Sequence, residues 1–217
     1  MIDTANYKFT NQWFQMGPKY VWDEILPQFN PTRILEIGSF EGAATCYLIE
    51  KLSPNNTIEL HCVDTWEGGI EHKDGGNEEI NMKQVEDRFH HNIQISQNKV
   101  KNPAEIYKHK NTSDLALASL LGIGKQNYFD FIYVDGSHQA PDVLSDAILS
   151  FKLLRKGGVI GFDDYYWSES LPNGIDPIRC PKTAIDVFTN IFCRKIKIVN
   201  STLKTYPEQL YVQKLDE

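Results

Sequence analysis

One stretch decides how this chain folds, Phe129-Asp-Phe-Ile-Tyr-Val-Asp135-Gly-Ser-His138. In it, an apolar strand pattern is followed directly by polar residues. Gly158-Val-Ile-Gly-Phe-Asp163-Asp164-Tyr165 repeats the pattern further along the chain. Strands this apolar are typical of the middle of a parallel sheet covered on both faces, and the carboxyl ends of such strands line the ligand crevice. We therefore expect three aspartates, Asp135, Asp163 and Asp164, to meet at one edge of a sheet.

Three aspartates at one edge predict a metal site. Crowded carboxylates raise one another's pKa unless a cation neutralises them, and hard divalent cations such as Mg²⁺ prefer oxygen ligands. Asp135, Asp163 and Asp164 are the candidate ligands. The alternative is structural, with the acids capping the following turns or hydrogen-bonding nearby Asn or Ser side chains.

The rest of the chain alternates strand patterns with helical patterns. This alternation predicts an α/β fold of doubly wound, Rossmann-like type, whose mostly parallel sheet has seven strands. The last two strands, near Lys195–Val199 and Gln209–Lys214, are expected to form a hairpin, which makes the last strand antiparallel. A helix beginning near Pro141 is expected to close at Arg155-Lys-Gly-Gly158, because basic residues and glycine suit a helix C-terminus.

Composition limits the class of protein. The 217 residues are 41% hydrophobic and carry a formal charge of -7, which fits one domain over residues 1–217. The first thirty or so residues are aromatic and predict a helical segment begun by Pro18 and ended by Pro27, a possible cap over a substrate. The negative charge argues against nonspecific nucleic-acid binding and favours small-molecule partners, and homo-oligomers are possible. No targeting or membrane-spanning pattern is evident and the four cysteines show no paired spacing, so a soluble cytoplasmic protein with reduced thiols is expected.

The first predicted strand is followed by a turn that we call the first crevice turn, Glu36-Ile-Gly38-Ser-Phe-Glu-Gly42. Its glycines let the backbone approach a ligand at a helix N-terminus. Bulky Phe40 takes the place of the middle glycine of a dinucleotide motif, which disfavours a dehydrogenase. The acidic crevice would repel a pyrophosphate but attract S-adenosylmethionine, which carries a sulfonium and an ammonium. Asp64, at the end of the second strand, is placed to accept both ribose hydroxyls, and the loop Thr65–Asn81 is placed to act as a lid.

Four motifs resemble those of class I S-adenosylmethionine-dependent methyltransferases, and the likeness spans nearly the whole chain. They are Ile34–Gly42, His61–Trp66, Phe131–His138 and Gly161–Tyr165. More narrowly, the chain resembles bacterial sugar O-methyltransferases of the macrocin O-methyltransferase type and, more distantly, catechol O-methyltransferases. The resemblance implies Mg²⁺ at Asp135, Asp163 and Asp164, although catechol enzymes carry asparagine at the position of Asp164. It implies cofactor contacts from Glu36, Gly38, Ser39, Gly42, Asp64, Thr65, Thr112, Ser113 and Asp135.

His138 is the candidate general base, because it follows Asp135 just beyond the strand end. Its alternative role is to cap the next helix. The expected activity is transfer of a methyl group to a hydroxyl of a small polyhydroxylated acceptor, a sugar or a catechol-like ring, assisted by Mg²⁺. A metal-independent methyltransferase and a noncatalytic adenosyl-ligand binding module remain as alternatives. Trp66 is expected either to stack on adenine or, more often for such residues, to belong to the core.

Overall fold

The computed structural model describes residues 6–70, 81–169, 171–199 and 208–216, and within them a seven-stranded sheet forms the centre of the fold. The strand order is β3-β2-β1-β4-β5-β7-β6, and every neighbouring pair is parallel except the two that involve β7. The predicted fold class, including the antiparallel last strand, is confirmed. The strands are β1 (Arg33–Ile37), β2 (Glu59–Asp64), β3 (Glu105–Lys110), β4 (Phe129–Val134), β5 (Leu154–Phe162), β6 (Ile196–Ile198) and β7 (Leu210–Lys214).

Helices cover both faces of the sheet because the central strands are apolar on both sides. One hydrophobic cluster joins α5, α6 and α7 to one face, and a second joins α1 to α4 to the other. The described residues include no helix that combines the length and the apolar composition needed to cross a bilayer. The helices are α1 (Trp13–Met16), α2 (Pro18–Phe29), α3 (Ala43–Leu52), α4 (Val85–Lys99), α5 (Ser113–Gly122), α6 (Ala140–Leu153) and α7 (Pro181–Ile191).

The segment Arg155–Gly158 does not close a helix, so that prediction is wrong. Helix α6 ends at Leu153 and β5 begins at Leu154, which pairs with Phe129 before a register shift. A Cβ on Gly158 would lie 2.9 Å from the Asp130 carbonyl oxygen. Glycine is therefore needed here for close strand packing at an irregularity rather than for a helix C-cap.

Pro27 does not end the N-terminal helix either. Helix α2 begins at Pro18 as predicted, but it contains Pro27 and ends at Phe29, followed by Asn30 in the left-handed conformation. Burial of Ile25 and Leu26 holds this last turn against the core, where packing outweighs the cost of the proline.

A buried histidine of β2, His61, contacts a half-buried histidine of β3, His109. The His61 ring is 2% exposed, and its Nδ1 lies 2.8 Å from His109 Nε2 while its Nε2 lies 2.7 Å from Glu59 Oε1. Glu59 also accepts hydrogen bonds from Lys125 and Tyr128. Burial lowers the pKa of His61 to about 4, although Glu59 opposes the shift.

The lowered pKa of His61 predicts how the free energy of unfolding depends on pH. A histidine whose folded pKa is below its unfolded value of about 6.5 contributes stability above that value, and this contribution is lost as the pH falls towards the folded pKa. The difference in unfolding free energy between the wild type and His61→Gln should therefore shrink by up to about 3 kcal/mol between pH 7 and pH 4. Urea denaturation of both proteins across this range measures it, and a difference that does not change with pH would contradict the assignment.

Candidate active site

The predicted acid cluster exists at the carboxyl edge of the sheet. Asp135 follows β4, Asp163 and Asp164 follow β5, and one carboxylate oxygen of each lies within 4.8 Å of the others. Consecutive residues of an extended strand point to opposite faces, so Asp163 and Asp164 would normally diverge. Asp164 adopts the left-handed conformation, with φ 55°, and this bend brings its carboxylate back to the cluster.

The charges in the cluster are poorly compensated by protein groups. Burial raises the pKa of Asp135 well above its usual range, and the charges of Asp163 and Asp164 raise it further. Burial and the Asp164 charge also raise the pKa of Asp163. Among the described residues, no lysine or arginine forms an ion pair with any of the three acids, and the Asp135 carboxylate accepts no hydrogen bond.

The cluster fits a divalent cation. Metal–oxygen distances of about 2.1 Å place pairs of ligand oxygens within about 4.2 Å, a spacing that small rotations of these side chains reach. An ion would supply the positive charge that the surrounding residues lack. Asp135, Asp163 and Asp164 are therefore the residues that would hold it.

Glu36, at the end of β1, is fully buried beside this cluster. Its Oε2 accepts hydrogen bonds from Ser39 Oγ, at 2.7 Å, and from Thr45 Oγ1, while its Oε1 has no hydrogen-bond partner. Burial raises the pKa of Glu36 to about 7. A buried oxygen without a partner is costly, and a ligand that donates a hydrogen bond or carries positive charge would satisfy it.

Gly38 brings the first crevice turn against the acid cluster. It has φ 87°, and a Cβ at this position would lie 1.7 Å from the carbonyl oxygen of Asp135. Only glycine allows this contact, so the turns after β1 and β4 form one continuous wall. Gly42, with φ 80°, then caps α3.

Asp64 ties the turns after β1 and β2 together. Its Oδ2 accepts a hydrogen bond from Phe40 N at 2.7 Å, and its Oδ1 accepts one from Trp66 N at 2.6 Å. The Trp66 indole donates to the Phe40 carbonyl at 2.8 Å and packs on Phe89. Trp66 is thus a core residue in this structure.

The remaining predicted cofactor residues lie at the same sheet edge. The end of β3 is joined to the end of β2 by a hydrogen bond from Asn111 N to the Asp64 carbonyl oxygen, at 3.1 Å. Thr112 and Ser113 follow at the N-terminus of α5, and Thr65 is half-buried beside Asp64. Residues 71–80 of the predicted lid, and His72 with them, lie outside the described residues.

His138 faces the acid cluster through Nε2. This atom lies 3.0 Å from Asp164 Oδ2, and Nδ1 is enclosed by protein. Helix α6 begins at Ala140 without any side-chain capping hydrogen bond, so His138 does not cap it.

Three contributors to the site were not predicted from the sequence. Trp167 stacks on the His138 ring, with centroids 4.0 Å apart, and Tyr133 and Gln209 donate hydrogen bonds to Asp163. Trp167 and Gln209 belong to loops without a periodic pattern, and Tyr133 reads as an ordinary strand residue. No sequence signal identified Gln209, because the pairing of β7 with β5 brings it beside Asp163 only in the folded sheet.

Comparisons with known proteins place the chain in a family. Residues 35–165, more than half of the chain, match the model of a methyltransferase domain. An uncharacterised protein, R132, of Acanthamoeba polyphaga mimivirus is 29% identical over 147 residues, which are 66% of this chain. The match spans 58% of the length of that viral protein. The chain belongs to the methyltransferase domain family.

Solved structures agree on the fold. An O-methyltransferase from Bacillus cereus in complex with S-adenosylhomocysteine superposes with a TM-score of 0.61 at 19% identity, covering 98% of this chain and 86% of that one. The O-methyltransferase TomG from Streptomyces achromogenes, in complex with S-adenosylmethionine, gives 0.60 at 18% identity, covering 92% and 80%. The expected class I S-adenosylmethionine-dependent methyltransferase fold is confirmed.

Proposed function

We propose that this protein transfers a methyl group from S-adenosylmethionine to a hydroxyl of a small polyhydroxylated acceptor, a sugar or a catechol-like ring, with the help of Mg²⁺. The observation that carries the proposal is the cluster of Asp135, Asp163 and Asp164 next to Glu36 and Gly38, which no lysine or arginine of the described residues neutralises. This arrangement favours a metal ion and a positively charged cofactor in adjacent places. We propose further that the whole chain acts as one domain in the cytoplasm.

The cofactor would lie along the turns after β1, β2 and β3. Its ammonium group suits the buried oxygen of Glu36, and its ribose hydroxyls suit the Asp64 carboxylate. The residues proposed to hold it are Glu36, Gly38, Ser39, Gly42, Asp64, Thr65, Thr112, Ser113 and Asp135.

In the reaction, the acceptor oxygen attacks the methyl carbon and the carbon–sulfur bond breaks, which releases S-adenosylhomocysteine and a proton. Asp135, Asp163 and Asp164 would hold a divalent ion, which would supply a positive charge to orient acceptor oxygens and stabilise the developing negative charge. His138 Nε2 faces the cluster and is the atom proposed to take the proton, which it can do in the neutral tautomer that carries its hydrogen on Nδ1. Trp167 holds the imidazole plane for this transfer.

The N-terminal segment is proposed to cover the acceptor. Trp13 is 51% exposed and lies 5.5 Å from Phe40, between ring centroids, at the cofactor turn. The backbone and hydroxyl of Thr10 donate hydrogen bonds to Glu41, at 2.6 and 2.8 Å, and fasten the segment there. Exposed aromatic surface at a crevice is suited to stack on a ring-shaped acceptor.

The test is transfer of a labelled methyl group from S-adenosylmethionine to a panel of catechols and glycosides, with Mg²⁺ or after exhaustive chelation. We expect transfer that requires the metal and returns when Mg²⁺ is added back. Transfer that survives chelation would support the metal-independent alternative. Tight cofactor binding without transfer to any acceptor would support the noncatalytic alternative.

A further inference from the structure

The Asp163 carboxylate is held by a chain of directed hydrogen bonds that extends to Trp22 of α2, in the hydrophobic cluster that also contains Tyr133 and Tyr211. Gln209 Nε2 donates to Asp163 Oδ1 at 2.8 Å, and the Tyr133 hydroxyl donates to Asp163 Oδ2 at 2.5 Å. The chain continues from Gln209 Oε1 to the Tyr211 hydroxyl, at 2.7 Å, and from there to Trp22 Nε1, at 2.8 Å. We call Trp22, Tyr133, Gln209 and Tyr211 the Asp163 network.

The proton positions in this network are determined by its chemistry. The Trp22 indole is only a donor, so the Tyr211 oxygen accepts from it and gives its own hydrogen to Gln209 Oε1. The Gln209 amide is thereby fixed with its NH₂ group towards Asp163 and Tyr133. Gln209 Nε2 lies 3.0 Å from the Tyr133 oxygen, which leaves the Tyr133 hydrogen for Asp163.

The sheet register explains why these residues meet. Strands β4, β5 and β7 place Tyr133, Gly161 and Tyr211 side by side. A Cβ on Gly161 would lie 2.5 Å from Tyr211 Cε1, so the glycine leaves the space in which the Tyr211 ring lies. Tyr165 N donates to the Glu208 carbonyl at 2.6 Å, which fixes the strand entry beside Gln209.

We propose that Gln209, Tyr133 and Tyr211 are positioning residues for the metal site, and that they hold the Asp163 carboxylate in a fixed orientation before an ion binds. This inference rests on the proposed function, because it assumes that Asp163 is a metal ligand. Asp135 accepts no hydrogen bond from the described residues, so Asp163 is the pre-oriented anchor and Asp135 the adjustable ligand. Groups that orient a ligand in this way commonly change metal affinity by about 10- to 100-fold when removed.

The test is Mn²⁺ affinity, measured by electron paramagnetic resonance of free Mn²⁺ with the full chain and saturating S-adenosylhomocysteine. Gln209→Met and Tyr133→Phe should each raise the dissociation constant by about 10- to 100-fold. Tyr211 contacts none of the three acids, yet Tyr211→Phe should also raise the Mn²⁺ dissociation constant, by a smaller factor. The substitution removes the donor that fixes the Gln209 amide.

Tyr47→Phe is the matched control. The Tyr47 hydroxyl donates to Asp23 Oδ1 at 2.6 Å, and the Tyr47 ring also packs on Trp22, but it lies outside the network. Tyr47→Phe should therefore leave the Mn²⁺ affinity unchanged. If the wild type binds Mn²⁺ and the network variants bind it with equal affinity, this inference is overturned but the metal site is not.

A wild type that binds no Mn²⁺ would overturn the metal site and this inference together. Thermal unfolding of each variant identifies any that fails to fold. If Gln209→Met does not fold, Tyr211→Phe decides the question, because it keeps the ring and removes one oxygen.

Discussion

Asp135→Asn is expected to slow metal-dependent methyl transfer strongly while raising the stability of the metal-free protein. Loss of one anionic ligand should cost about 3 kcal/mol of transition-state stabilisation, which is a rate reduction of about 10²–10³-fold. The stability gain follows from the raised pKa of Asp135, because an acid with a raised folded pKa opposes folding at pH values above its unfolded pKa of about 3.9. The gain should grow as the pH rises from about 4 towards 8 and should vanish near pH 4.

Asp130→Asn provides the matched control at the opposite end of the same strand. Burial alone would raise the pKa of Asp130, but hydrogen bonds from Arg155 and from the backbone of Thr32 and Arg33 lower it to about 2. This substitution should destabilise the protein and leave metal affinity unchanged. Turnover assays with a Mg²⁺ titration and urea denaturation separate the two variants. An Asp135→Asn protein that keeps metal-dependent turnover would contradict the ligand assignment.

His138→Ala is expected to reduce turnover by about 10²–10⁴-fold, because general-base catalysis typically contributes that much. Affinity for S-adenosylmethionine should not change, since the imidazole faces Asp164 and Trp167 rather than the cofactor turns. The measurements are single-turnover methyl transfer and calorimetric titration with the cofactor.

Two comparisons make the His138 result specific. His90→Ala alters an exposed histidine of α4 that contacts Lys108, and it should retain full turnover. Added imidazole should restore part of the His138→Ala rate if the missing group is a base. Full activity in His138→Ala would show that the proton leaves by another route, and a rate loss without rescue would assign His138 to positioning of Asp164.

The sheet and its acidic edge were predictable because they depend on local patterns. Apolar runs that end in aspartate define β4 and β5, and parallel strands place their carboxyl ends together. The glycine turn after β1 was also predicted, as a place where the backbone approaches a ligand, and in the structure Gly38 closely approaches Asp135. In each case one residue type is nearly obligatory at its position.

The parts that were missed depend on tertiary context. Arg155–Gly158 has the composition of a helix C-terminus, but Leu154 finds a pairing partner in Phe129 and the strand begins early. The positive φ angles of Phe40 and Trp66 have no sequence signal, because bulky residues seldom adopt them. Such strain is tolerated where the surrounding structure imposes it, as the Asp64 hydrogen bonds do here.

The Asp163 network was beyond sequence reasoning for a different reason. Its members come from α2, β4, β7 and the loop before β7, and only the final register brings Gln209 beside Asp163. The left-handed conformation of Asp164 is similar, because ordinary strand alternation would have sent its carboxylate away from the cluster. Sequence patterns identify the acids, and the fold determines which of them can share an ion.

The most direct test of the metal site is a crystal of the wild-type protein grown with Mn²⁺ and S-adenosylhomocysteine. Anomalous scattering at the manganese edge should give one peak, for an Mn²⁺ ion about 2.0–2.3 Å from a carboxylate oxygen of each of Asp135, Asp163 and Asp164. S-adenosylhomocysteine should lie along the turn that contains Gly38. A map with bound S-adenosylhomocysteine but no anomalous peak among these three carboxylates would contradict the account.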